Sequence, residues 1–286
     1  MFDCIIIGTG AAGVSAALTL KALKRDFIWI GNPKLSLKIN AAEKIKNYAG
    51  LYNASGEDMR DAFLRQIEGE NIAITEGRVG GVYPVGDGYS VTCGGDVYEG
   101  STVILATGVE SVKPVEGETE FLGRGVSYCA ACDGFLYRDK VIAVAVEGEE
   151  ELAEVELLAK YARTVYLFAL RKKVSCALPN VQTRAEKFLG VTGDMRVRAV
   201  RTDAGELPVD GVFILKGSVA AASLVHGLQS EKGIVTVDRA CATNLAGVFA
   251  AGDITGRPYQ YAKAVGEGNV CAHSVNAYLN AKIKNG

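Results

Sequence analysis

The chain opens with an apolar run, DCIII at 3–7, then a glycine-rich turn, then VSAALTLKAL, whose small and apolar residues suit a helix packed on a sheet. Short apolar runs bounded by turn residues read as buried strands, and strand–turn–helix order reads as one unit of a parallel sheet. DFIWI at 26–30 predicts the next strand. STVILATGVE (101–110) and GVFAAGDITG (247–256) predict two more, ending in Ala-Thr-Gly and Gly-Asp. The same plan returns mid-chain. VIAVAV at 141–146 predicts a strand, a helix follows from about residue 149, and TVYLFALRKKVS (164–175) and LPVDGVFILKGSVAAAS (207–223) each hold a further strand.

A length of 286 residues allows one large or two medium domains, and 49% hydrophobic residues with 34 glycines suit an α/β protein rich in tight turns. A net charge of −2 favours neither nucleic acid nor an anionic membrane as partner. The apolar opening lacks a basic leader, carries Asp3 and is broken by glycines at meaningful spacing. It reads as structure rather than a targeting segment, and the expected location is cytoplasmic. Of seven cysteines, Cys4, Cys93, Cys176, Cys241 and Cys271 are scattered singly and read as small core residues. Cys129 and Cys132 form the one C-x-x-C; with two histidines in the chain, no metal site is expected, and a redox dithiol is the better reading.

GTGAAG at 8–13 is G-x-G-x-x-G between a strand and a helix. Gly8 permits the tight turn, Gly10 lets backbone approach a pyrophosphate, and Gly13 lets helix and strand pack closely. The helix N-terminus then offers unpaired N–H groups to the phosphates. An acidic residue after the next strand would grip a ribose, but Gly31 and Asn32 stand there. By itself the motif indicates a dinucleotide without saying which.

Taken in order, GTGAAG, ATG and GD resemble the three fingerprints of two-dinucleotide flavoproteins, whose Gly-Asp carboxylate binds the FAD ribityl chain. With SYCAACDGF at 127–135, nearly the whole chain resembles the low-molecular-weight thioredoxin reductases. KIKNYAG (44–50) resembles their flavin-contacting I-x-N-x-P-G, with Ala49 for proline. YQYAKAVGEG (259–268) resembles their R-Q-x-x-x-A-x-G-x-G helix, with Tyr259 for arginine. The resemblance implies an α/β fold of two Rossmann-like, three-layer ββα dinucleotide-binding domains, the second inserted into the first. An FAD domain would span 1–112 and 242–286, and a degenerate NAD(P)-type domain carrying the dithiol would span 116–240. Linkers are expected near Lys113–Gly117 and Ala240–Leu245. It further implies FAD contacts from Gly8, Gly10, Ala11, Ala12 and Gly13, from Asn47 and Val79, from Thr107 and Gly108, and from Gly252, Asp253, Gln260 and Tyr261. Cys132 would face the flavin, Cys129 would exchange with thioredoxin, and Asp133 would serve as general acid and base. A homodimer is implied.

The inserted domain departs from the pattern at its own phosphate turn. Gly8, Gly10 and Gly13 correspond to Val146, Gly148 and Glu151, so only the middle glycine survives. Glu149, Glu150 and Glu151 supply negative charge to the first helical turn, stabilised by roughly 0.3–1 kcal/mol each, and repel a pyrophosphate. Where NADPH-using relatives carry H-R-R-x-x-x-R, this chain has Ala169, Leu170, Arg171 and Ser175, and the closing I-G-x-x-P-N is missing. These departures resemble the pyridine-nucleotide-independent branch, the ferredoxin-dependent flavin thioredoxin reductases. Arg171, Lys172, Lys173, Arg184 and Lys187 are then either the basic docking cluster for an acidic ferredoxin or a solvated loop. The alternatives are a conventional NADPH-dependent reductase, a deazaflavin-dependent one, and an oxygen-using dithiol oxidase. A non-catalytic flavoprotein has no need of the intact C-A-A-C-D-G.

Overall fold

A computed structural model describes residues 1–36, 39, 42–108, 115–216, 221–231 and 233–285, the side chains of 132, 222, 223 and 285 excepted. The chain begins β1 (Phe2–Ile7), α1 (Ala11–Ala22), β2 (Phe27–Gly31), α2 (Gly56–Gly69), β3 (Thr75–Glu76), β4 (Val79–Val85), β5 (Gly88–Cys93) and β6 (Asp96–Leu105). The middle holds β7 (Val126–Ser127), α3 (Ala130–Asp133), β8 (Val141–Val146), α4 (Leu152–Ala159), β9 (Thr164–Ala169), β10 (Val181–Thr183), β11 (Phe188–Gly193), β12 (Val197–Thr202), β13 (Gly205–Pro208) and β14 (Gly211–Leu215). It ends α5 (Ala221–Leu224), β15 (Ser230–Glu231), β16 (Ile234–Val235), β17 (Val248–Ala250) and α6 (Tyr261–Asn285).

Two compact units result, one of Met1–Thr92, Val97–Val109 and Ala220–Gly286, the other of Cys93–Asp96 and Glu110–Val219. In the first, β3-β2-β1-β6 run parallel, β17 joins β6 in parallel, and β5-β4 extend the sheet beyond β6. In the second, β10-β9-β8-β14-β7 run parallel throughout, beside an antiparallel β11-β12-β13 layer. Four parallel strands follow the same order in both units, while the fifth comes last in the chain in the first unit (β17) and first in the second (β7). The shared order is that of the dinucleotide fold, whose ligands bind outside the carboxyl ends of the central strands.

The expected linker at Ala240–Leu245 lies inside the first unit, because the described residues between 221 and 241 pack there. Val82 bridges Val225, Ala242 bridges Phe249, and Asp238 Oδ1 accepts from the amides of Ala240 and Ala242. Part of the expected linker at Lys113–Gly117 and the end of STVILATGVE lie outside the described residues, as do residues 217–220.

The strands are apolar on both faces because both faces are covered. In the first unit Ile6, Trp29, Ile104 and Phe249 share a core with α1 and α6; in the second, Val144, Leu167 and Phe213 meet Val155 and Leu158 of α4. Gly268 of α6 packs where a Cβ would come 2.1 Å from the Ala12 carbonyl oxygen. That close approach sets α6 against the start of α1. Although α6 runs 25 residues, no helix among the described residues is long and apolar enough to cross a membrane.

Candidate active site

The turn after β1 is built from glycines that sterics require. Gly8 has φ +109°, and a Cβ there would lie 2.3 Å from the Ala106 carbonyl oxygen. A Cβ on Gly13 would lie 2.0 Å from the Gly8 carbonyl oxygen, which also accepts from Trp29 Nε1 at 2.9 Å. Gly10 differs: its backbone is extended and a Cβ would meet nothing within 4 Å. It is glycine for space. The α1 N-terminus carries neither a side-chain cap nor an acidic residue in its first turn, so its leading amides remain for an anion.

Those amides open onto a cleft. Gly10, Ala11, Ala12, Gly108, Gly252, Asp253, Gln260 and Tyr261, eight of the expected cofactor residues, line it together. Gly8 and Gly13 shape its turn from behind. Asn47 is tied to it by donating Nδ2–H to Gln260 Oε1. Thr107 stands between two lining residues, Ala106 and Gly108, with its buried Oγ1 unpartnered in the protein. Val79 is buried at the start of β4 and is not among the lining residues. Burial pushes the Tyr261 phenol up, and the neighbouring Asp253 carboxylate adds to it. The open amides, the missing Cβ and the orphaned hydroxyl are what a dinucleotide would satisfy, so FAD fits these residues.

A network that the motifs do not announce holds the Gly-Asp loop. Lys263 Nζ donates to the carbonyl oxygens of Gly252 (2.7 Å) and Gly256 (2.8 Å) and to Thr255 Oγ1 (2.6 Å). Glu267 Oε2, 3.2 Å from Lys263, accepts from Gly252 N and Thr255 Oγ1, each at 2.8 Å. The i, i+4 spacing of Lys263 and Glu267 on α6 was its one trace in the sequence.

Gly10→Val should leave the fold intact but place a branched side chain in the cleft, so the protein should purify without flavin. Flavin absorbance relative to protein checks this; full occupancy would refute the assignment of the turn.

In the second unit Cys129 is buried and disulfide-linked, while Cys4, Cys93, Cys176, Cys241 and Cys271 are free. Burial pushes the Cys4 thiol up to about 12, which makes it inert at neutral pH. Cys132 and Asp133 belong to α3, and the Cys132 side chain lies outside the described residues. Asp133 Oδ2 accepts from Ser127 Oγ at 2.6 Å, and Ser127 Oγ accepts from the Cys129 amide at 3.1 Å. The buried Ser127 therefore fixes the acid beside the dithiol, a role its residue type alone did not reveal.

At the second phosphate turn the glutamates act differently from one another. Residues Glu149–Glu151 form a 3₁₀ turn, and the α-helix starts only at Leu152. Glu149 and Glu150 point to solvent; Glu151 is 4% exposed and its Oε2 accepts from the Gly148 amide at 2.9 Å. The expectation of three equivalent repelling charges is thus refined. The donor that would meet a pyrophosphate is already taken by the chain's own carboxylate. The basic cluster is also diluted, since Arg171 pairs with Glu147 (3.5 Å) and Arg184 with Glu186 (2.5 Å), while Lys172, Lys173 and Lys187 are exposed.

The family described as pyridine nucleotide-disulphide oxidoreductase matches residues 2–268. A thioredoxin reductase of Listeria monocytogenes is 33% identical over 98% of this chain and 94% of its own length. The crystal structure of a ferredoxin-flavin thioredoxin reductase from Clostridium acetobutylicum superposes with a TM-score of 0.91 at 37% identity, covering 100% of this chain and 99% of that one. A thioredoxin reductase from Gloeobacter violaceus superposes with a TM-score of 0.80 at 29% identity, covering 98% and 94%.

Proposed function

The chain belongs to the pyridine nucleotide-disulphide oxidoreductases, among them to the low-molecular-weight thioredoxin reductases with FAD as cofactor, and from that premise we propose that ferredoxin, not NADPH, is its electron donor. One observation carries this reading: Glu151 occupies the Gly148 amide at the second dinucleotide-type turn. The superposition on a ferredoxin-flavin enzyme supports it. FAD, when bound, supplies the conversion of single electrons into the pair that a disulfide needs.

In this reading Cys129 and Cys132 form the redox pair, and the reduced Cys129 thiolate attacks the thioredoxin disulfide to give a mixed disulfide. Cys132 then attacks Cys129, which releases reduced thioredoxin. Asp133, held by Ser127, gives the proton that the departing thiolate takes up. Phe135 and Leu136, each 55% exposed directly after the dithiol, offer apolar contact for that partner. The family likeness supports a cytoplasmic homodimer.

Thioredoxin reduction should proceed with reduced ferredoxin, and its rate should fall as salt rises, because Lys172, Lys173 and Lys187 would meet an acidic partner. Anaerobic stopped-flow of flavin absorbance, followed by thioredoxin thiol titration, checks this. A flavin that ferredoxin leaves oxidised would remove ferredoxin as the donor.

A further inference from the structure

A lysine is buried where a dinucleotide domain has no need of one. The β8–β14 register pairs Val146 with Leu215, and the β1–β6 register pairs Ile7 with Leu105. With Val146 standing for Gly8, Leu215 stands for Ala106 and Lys216 for Thr107. In the first unit that position carries a buried, unpartnered hydroxyl between two residues that line the cleft. In the second it carries an ammonium whose partner is within the fold. Lys216 Nζ lies 2.7 Å from Glu118 Oε1 and 3.0 Å from Oε2, and both residues are 1% exposed.

Glu118 gathers more than the lysine. Its Oε1 accepts from the Tyr128 hydroxyl at 3.0 Å, and its Oε2 accepts from the Val115 amide at 2.8 Å. One carboxylate thus joins three segments: the turn at 115–118, the end of β14, and the residue before Cys129. The dithiol segment starts at the same edge of the sheet, because β7 runs parallel to β14 and stops at Ser127. Tyr128 is buried, so its ring and its hydroxyl are both fixed. Removing one member of such a pair strands its partner in the interior, which is why the cluster holds its geometry.

We propose that Lys216 is a positioning residue for the dithiol: paired with Glu118, it fixes Tyr128 and through it the backbone that carries Cys129. The position equivalent to Thr107 thus anchors the disulfide segment in the second unit. The proposal rests on Cys129 belonging to the redox pair, and it needs no particular electron donor.

A well-placed pair of sulfurs favours the disulfide, so loosening Cys129 should make the disulfide easier to reduce. In the flavin-loaded Lys216→Met protein, equilibration against reduced and oxidised dithiothreitol, read by thiol alkylation and mass mapping of Cys129, should shift about tenfold toward the dithiol, or about 30 mV. Tyr128→Phe keeps the ion pair and removes only the hydroxyl link; it should shift the equilibrium the same way by a smaller factor. A purely structural role would lower the melting temperature and leave the equilibrium unmoved, and that result overturns the proposal. Should Lys216→Met not fold, Tyr128→Phe decides, with an unchanged equilibrium again counting against it. Failure of wild-type Cys129 to titrate with the disulfide would instead fault the assignment of the redox pair.

Discussion

Thioredoxin reduction should disappear in both cysteine variants, by on the order of 10³-fold or more, but the two should fail differently. Cys132→Ser leaves Cys129 to attack thioredoxin with nothing to resolve the product, so a mixed disulfide should accumulate and survive non-reducing electrophoresis. Cys129→Ser removes the attacking thiolate, so no adduct should form with thioredoxin. The burial of Cys129 does not oppose this, because the exposed Phe135 and Leu136 mark the face a partner would press before exchange. Trapping by Cys129→Ser and not by Cys132→Ser would show that the roles are reversed. Asp133→Asn should slow turnover and alter its pH dependence without preventing the trap, since attack by Cys129 does not need the Asp133 proton.

NADPH at about 1 mM, the top of the ordinary KM range, should leave the wild-type flavin oxidised under anaerobic conditions. A pyrophosphate entering the second unit must displace Glu151 from the Gly148 amide. Hydrogen bonds to charged groups contribute about 1.5–3 kcal/mol, so this alone weakens binding roughly ten- to a hundredfold. The displaced carboxylate would then face the phosphates in a site where it is itself buried. Ala169 and Leu170 further remove the grip on a 2′-phosphate. Flavin absorbance after rapid mixing is the measurement. Bleaching within seconds would return the protein to the NADPH-dependent reductases, and no later step would need to be invoked.

The apolar runs and their glycine punctuation determined a great deal alone. The strand expected at 141–146 matches the observed β8 residue for residue, because a fully buried parallel strand leaves an uninterrupted hydrophobic signature, whereas β9 runs on through Ala169, which the motif placed just after the strand. The cleft was legible for a similar reason. Gly8 and Gly13 are demanded by backbone contacts within a few residues or across one strand pair, and such local sterics write themselves into residue type. What the sequence left open depends on long side chains meeting across the fold. Glutamate at 151 showed that charge had replaced glycine, but not that this one carboxylate would turn inward while its two neighbours faced water. Lys216 and Glu118 are 98 residues apart, and neither stands out in its own segment. Likewise, the segment from 221 to 240 reads as continuous with the second unit, yet its described residues pack with the first through the Val82–Val225 bridge and the turn at Asp238. Residue type records what the nearby backbone requires. Which distant charge it meets, and which unit a short segment joins, is decided only when the sheets are assembled and every buried polar group must find a partner.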